Sequence, residues 1–210
     1  MTNPPDDRTS AQHRRFTTCQ DHVEYVRRVA ESLELSFRPR PQPPYGWHLC
    51  TGDQELLYGS LDEIETYLRH EKLWDPKGIE HDAWHQIGVA PESLTCDIAG
   101  RSRVHGFKRC GGIDSDHRYA VSVWSQLHTI DDVRHKEIGT EFVPITICGR
   151  DGVRYRPRSD HTGDQCDLIF PAADGAYLID VLRLDQRTHT SPVDRILEVA
   201  QVMVPLLPDR

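Results

Sequence analysis

Six cysteines and twelve histidines are the residues of this chain with the widest chemical reach. His81 and His85 lie four apart, a spacing that sets two imidazoles on one helix face and suits a metal ion. The run is His81-Asp-Ala-Trp-His85, without the glutamate that follows the first histidine in zinc proteases. Two surface histidines beside a core Trp84 are therefore expected. Ser115-Asp-His117 and Ser159-Asp-His161 contain the residue types of a nucleophilic triad. A triad is assembled in space, however, and adjacent loop residues point different ways. Cys110 and Cys166 would serve as thiolate ligands, as nucleophiles or as a disulfide. A nucleophilic thiol needs a histidine base and a positive setting. Buried or bridged cysteines are the simpler expectation. Glycine-rich phosphate loops, dinucleotide fingerprints and nucleophile elbows are all missing from the sequence. No catalytic residue, cofactor or metal site is expected on this reading. Trp47, next to a turn, is the candidate contact residue, because tryptophan anchors many interfaces. The other three tryptophans read as core.

The elements that would carry these residues follow from periodicity. Residues 1–16 are polar and proline-bearing and are expected to be a disordered tail. Thr18 and Asp21 form a capping box, and Val23, Val26, Ala30 and Leu33 recur at helical spacing over 19–33. The stretch 38–44 carries four prolines and reads as an extended linker. A hairpin is expected around Thr51-Gly-Asp-Gln54, followed by a helix capped by Ser60 and Glu63. Residues 17–72 thus read as a small helix-hairpin-helix module, and 73–210 as a second domain.

In that second domain Tyr119, Val121, Val123, Ser125 and Leu127 alternate with more polar residues, which marks a half-buried strand. Strands are also expected at 142–148, from Val153 onward, at 165–170 and at 177–184. Asp151-Gly152 marks a hairpin. Ser191, Pro192 and Asp194 open a last helix, with Ile196, Val199 and Met203 facing inward. The expected class is α+β, an antiparallel sheet with helices packed on one face.

Bulk properties narrow the partners. The chain has 210 residues and a net charge of −8. An acidic surface repels phosphate backbones, so no nucleic-acid partner is expected. No apolar run approaches the roughly 18 residues of a membrane span. Met1 is followed by Thr-Asn-Pro-Pro-Asp-Asp-Arg, which lacks an apolar export signal, so a cytoplasmic location is expected.

Residues 74–208 resemble an actinobacterial family, domain of unknown function 3558, many of whose members are secreted lipoproteins. The resemblance rests on Phe107-Lys-Arg-Cys110, Tyr119-Ala-Val-Ser-Val-Trp124 and His128-Thr-Ile-Asp-Asp-Val-Arg134. It continues through Phe142-Val-Pro-Ile-Thr146, Gly149-Arg-Asp-Gly-Val153, Asp164-Gln-Cys-Asp-Leu-Ile-Phe170 and Val204-Pro-Leu-Leu-Pro208. It implies that Cys110 pairs with Cys166. A second family bridge is lost, since Lys77 replaces one expected cysteine and the region 191–193 lacks the other. Gly111-Gly112 replaces the tryptophan that follows the family's core cysteine. The resemblance implies no activity. A protein-binding module is the leading expectation, with an immunity factor or secretion-linked adaptor as examples. A small-molecule or lipid binder is one alternative. A hydrolase built on His117, His161 and Asp164 is another.

Overall fold

The computed structural model describes residues 18–209. The expected tail at 1–16 lies outside them. The chain forms two compact units, Met1–Lys72 and Leu73–Arg210.

In the first unit, helix α1 (Cys19–Ser32) starts at the Thr18–Asp21 capping box and buries Val26, Val29 and Ala30. Its end is a Schellman turn: Leu35 N–H donates to the Ala30 carbonyl and Glu34 N–H to that of Glu31. Glu34 sits at φ 58°, the left-handed position usually given to glycine. Three strands follow, β1 (Ser36–Pro39), β2 (Trp47–Thr51) and β3 (Gln54–Gly59), antiparallel in that order. The helix-hairpin-helix expectation is corrected here. The start of the proline-rich stretch is an edge strand, so the hairpin becomes a three-stranded sheet. Proline is compatible with an edge because its missing N–H can face away from the partner strand. Helix α2 (Leu61–Lys72) is capped by Ser60 and Glu63. Phe37 and Leu49 from the sheet, Val26 and Ala30 from α1, and Ile64 and Leu68 from α2 form one apolar core.

The second unit opens with a 3₁₀ turn at 76–78, capped by Asp75, and the short helix α3 (His81–Gln86). Its sheet has six strands: β4 (Phe107–Ile113), β5 (Tyr119–Gln126), β6 (Val143–Ile147), β7 (Arg150–Tyr155), β8 (Gln165–Ala172) and β9 (Gly175–Arg183). Helix α4 (Ile130–Lys136) lies between β5 and β6 in the chain, and α5 (Pro192–Met203) comes last. The strand order is β4-β5-β9-β8-β7-β6, all antiparallel.

The α+β class holds, with one revision. Trp84 of α3 and Ile196, Val199 and Met203 of α5 pack on Val121, Val123, Leu168, Phe170, Ile179 and Val181, one face of the sheet. Val133 of α4 packs on Val153, Tyr155, Ile169 and Ala176, the other face. Helices therefore cover both faces. The apolar run in β8 already requires this, because a strand buried on both sides reads as continuous rather than alternating.

Candidate functional site: an open sheet face and a row of aspartates

The antiparallel register sorts the N-terminal sheet into two faces. Phe37 pairs with Leu49, and Leu49 with Leu57, so these residues turn toward α1 and α2. Arg38, His48 and Tyr58 form a row on the opposite face. Arg40 continues that face, its guanidinium carbon 5.0 Å from the Tyr58 ring centroid. The Tyr58 hydroxyl donates to the Pro44 carbonyl at 2.5 Å. His48 Nδ1 bonds the Glu55 carboxylate. Tyr45, in the loop held by Tyr58, is 76% exposed.

Trp47 does not belong to this open face. Its parity with Leu49 turns it inward, where it stacks on Phe37 at 4.6 Å. The half-buried Trp47 is part of the module's packing, and Tyr45 is the exposed aromatic. The inward turn of Trp47 follows from pairing with β1, a strand that the sequence pattern does not mark, so the parity of β2 is not legible in the sequence.

The second unit carries a polar row that sequence reasoning missed. On the α4 side of the sheet, Gly111, Ser122, Asp180, Asp167 and Tyr155 lie opposite one another across five strands. The Trp124 indole donates to Asp180 at 2.5 Å. The Gln165 amide donates to Asp167 at 2.9 Å. Arg109 donates to Ser122 Oγ at 2.9 and 3.2 Å and lies over the Trp124 ring. Burial pushes the Asp167 carboxyl up to about 8, helped by the negative field of Asp180 beside it. Burial also raises Asp180 to about 6, against the hydrogen bond from Trp124 and the charge of Arg109. Both carboxyls are thus held above the usual carboxylate range, chiefly by burial. Tyr155, bonded to Asp167, is raised as well, by burial first. Asp167 is only 4% exposed, so a dissolved substrate does not reach it. The row acts as a fixed network within the sheet. A signal was present in the sequence: single aspartates at Asp167 and Asp180 interrupt otherwise apolar strands.

The cysteines rearrange relative to expectation. Cys110 and Cys166 are both buried in the same core. Cys110, however, is bridged to Cys96, and Cys166 is a free thiol. The reason is strand order. Cys110 pairs with Val123, Val123 with Ile179 and Ile179 with Leu168, two residues from Cys166. Three strand spacings of about 4.8 Å exceed the roughly 7 Å that a disulfide spans. Cys96 reaches Cys110 because Thr95 and Gly111 exchange backbone hydrogen bonds at 2.8 and 3.0 Å along the free edge of β4. Burial pushes the Cys166 thiol up to about 11, which makes it a poor nucleophile.

The histidine motifs do not assemble. His117 and His161 are exposed. Asp164 accepts hydrogen bonds from Arg183 at 2.6 and 2.9 Å and from Gln186 at 2.7 Å, so its carboxylate is committed elsewhere. His81 and His85 are exposed on α3 beside buried Trp84. A polar cleft of about 350 Å³ in the second unit includes Arg118, Tyr119, Thr190 and Arg195. Its charges pair locally, Arg118 with Asp114 and Asp116, and Arg195 with Glu198. Among the described residues, His22, Asp62 and Glu65 bring three ligand-type atoms within 4.8 Å of one another. The 2.7 Å hydrogen-bond contact between His22 Nε2 and the Glu65 carboxylate, joining α1 and α2, accounts for much of that grouping. No described helix is long and apolar enough to cross a membrane. Compared with family models, curated proteins and solved structures, the chain gives no match.

Proposed function

We propose that this protein is a non-catalytic module that binds another protein, in the manner of an immunity factor or a secretion-linked adaptor. The observation that carries the reading is the open face of the N-terminal sheet. It presents Arg38, Arg40, His48 and Tyr58, with Tyr45 exposed beside them. Tyrosine and arginine are the residue types that protein interfaces favour. Both give large contact area with directional polar groups. The patch is locally basic on a chain of net charge −8, so it offers a partner a distinct electrostatic address. A cytoplasmic location and the absence of a nucleic-acid partner belong to the same proposal.

The test is affinity capture from the source lysate with the full-length chain and with a Tyr45→Ala/Arg40→Ala double variant. One stoichiometric protein retained by the wild type and lost by the variant is the expected result. Equal capture by both, or no captured protein, sinks the reading.

A further inference from the structure

Strand β1 is the edge of its sheet, and its outward-facing backbone is defined by register. Arg40 N–H donates to the Gly46 carbonyl at 2.9 Å, which makes Arg40 and Gly46 a hydrogen-bonded pair. In an antiparallel ladder the bonded pairs alternate, so Arg38 and Ser36 also bond inward, opposite His48 and Cys50. The intervening Phe37 N–H and C=O, and the Pro39 C=O, therefore point away from β2. They face the side that, among the described residues, no other strand of the sheet occupies. Beside this edge lies an open cleft of about 490 Å³. Its walls are Arg27 and Glu31 of α1, together with the segment Glu34–Arg38. Leu35 and the largely buried Phe37 supply apolar surface there.

We propose that this cleft takes an extended segment of a partner protein by strand addition to β1. The inference rests on the protein-binding reading and specifies its mode. An edge strand with unpaired donors and acceptors beside a helix is the geometry in which main-chain pairing supplies affinity and alternate side chains supply specificity. Side chains of the added strand alternate between two environments. Those level with Phe37 face Leu35 and Phe37 and are apolar. Their neighbours turn to the open face beside Arg38 and Arg40 and are acidic. The occupant is thus an acidic–apolar alternating segment. A second copy of this chain is disfavoured at the same edge, because antiparallel pairing of two β1 strands sets one Arg38 near the other.

Three labelled heptapeptides serve as probes of the full-length chain. They are an alternating Glu-Val-Glu-Val-Glu-Val-Glu, its block isomer with four Glu followed by three Val, and the alternating peptide N-methylated at its valines. Fluorescence anisotropy is expected to show the alternating peptide binding at least about tenfold tighter than either control. Its binding slows hydrogen exchange at the Phe37 amide. Arg38→Glu weakens binding by a similar factor and leaves the thermal unfolding midpoint unchanged, since Arg38 is exposed. Equal affinity for all three peptides, an unaltered Phe37 amide, or self-association through this edge overturns the proposal. A captured partner that Tyr45→Ala/Arg40→Ala loses, but that leaves Phe37 exchange unchanged, defeats strand addition alone. A chain that takes neither peptide nor partner defeats both readings.

Discussion

Asp167 and Asp180 face each other across β8 and β9, and their raised carboxyls make the second unit respond to pH. A carboxyl whose folded pKa lies above its unfolded value favours the folded state most at low pH. That contribution is present below the unfolded value of about 4 and is lost as pH rises through the folded one. For this pair the window runs from about 4 up to about 8. Asp167→Asn keeps a neutral side chain at every pH and removes the penalty of ionising a buried acid. The stability of the variant relative to wild type should therefore rise between about pH 5 and pH 8 and level off above that in urea unfolding. A constant difference across that range contradicts a raised Asp167 carboxyl. The cysteines give a second residue-level test. Alkylation of the unreduced, denatured chain should modify four of its six cysteines and spare Cys96 and Cys110. A peptide linking Cys110 to Cys166 would show the opposite pairing. The aspartates show in the sequence only as interruptions of apolar strands, and the cysteine pairing is not legible from residue types. Which cysteine meets Cys110 depends on two strands that intervene in space and come later in the chain.

Caps and the Gly52-Asp53 turn are legible because their chemistry is local. The turn expected at Asp151-Gly152 is corrected: both residues pair within the β6–β7 ladder, with Thr146 and Ile145, and the turn is Cys148-Gly149, each at positive φ. Thr18 with Asp21 and Thr129 with Asp132 satisfy helix-start N–H groups within four residues of sequence. Ser191 does the same for α5. Strands β1 and β4 are not legible in the sequence because neither shows apolar alternation. In β4 the sequence Arg109-Cys-Gly-Gly-Ile113 has two glycines where side chains would mark the faces. Gly111 is there for space: a Cβ would lie 2.5 Å from the Val121 carbonyl and 2.6 Å from Ser122 Oγ. At the end of α1, Glu34 occupies a left-handed position that glycine adopts freely. Glu34→Gly should therefore stabilise the protein by about 0.5–1 kcal/mol, measured by chemical unfolding; a loss of stability would mean that the Glu34 side chain holds the turn. The loop before β8 is organised by Asp160, whose carboxylate accepts from the backbone N–H groups of Thr162, Gly163, Asp164 and Gln165 at 3.0–3.2 Å. Burial works to raise this carboxyl, but those donors hold it below its usual value. Its support is present above the unfolded pKa and is lost as pH falls through the folded one. Asp160→Ala should cost about 1–3 kcal/mol at neutral pH and bring the variant closer to wild type in strong acid.

The two units each close their own apolar core, one around Leu49, Ile64 and Leu68 and the other around Phe170, Ile179 and Ile196. Each core therefore has its own sensitivity. Leu49→Ala removes a fully buried side chain and should lower the stability of residues 18–72 by about 2–5 kcal/mol. Hydrogen exchange should quicken in that unit while amides of β8 and β9 keep their protection. Equal acceleration in both units would show a single cooperative block. The α+β class and the elements β5 and α5 of the second unit follow from periodicity in Tyr119–Gln126 and Pro192–Met203. The insertion of β9 between β5 and β8 does not, because strand order is decided by burial of both faces of β8 and β9 at once.

Pro39 sits on the outward side of the β1 edge and has no N–H to offer there. Open strand edges invite chains to stack without limit, and proline and charge are the usual means of blunting them. Here the blunting is partial: one residue, Phe37, turns both backbone groups away from β2, where no other described strand lies, and Arg38 beside it carries a charge that a copy of itself would repel. Such an edge can template a few residues but not a fibril. Pro39→Val would restore a second N–H and a β-branched side chain, lengthening the template. On prolonged warming that variant should form thioflavin-positive aggregate sooner than wild type, and adding Arg38→Val should shorten the lag further.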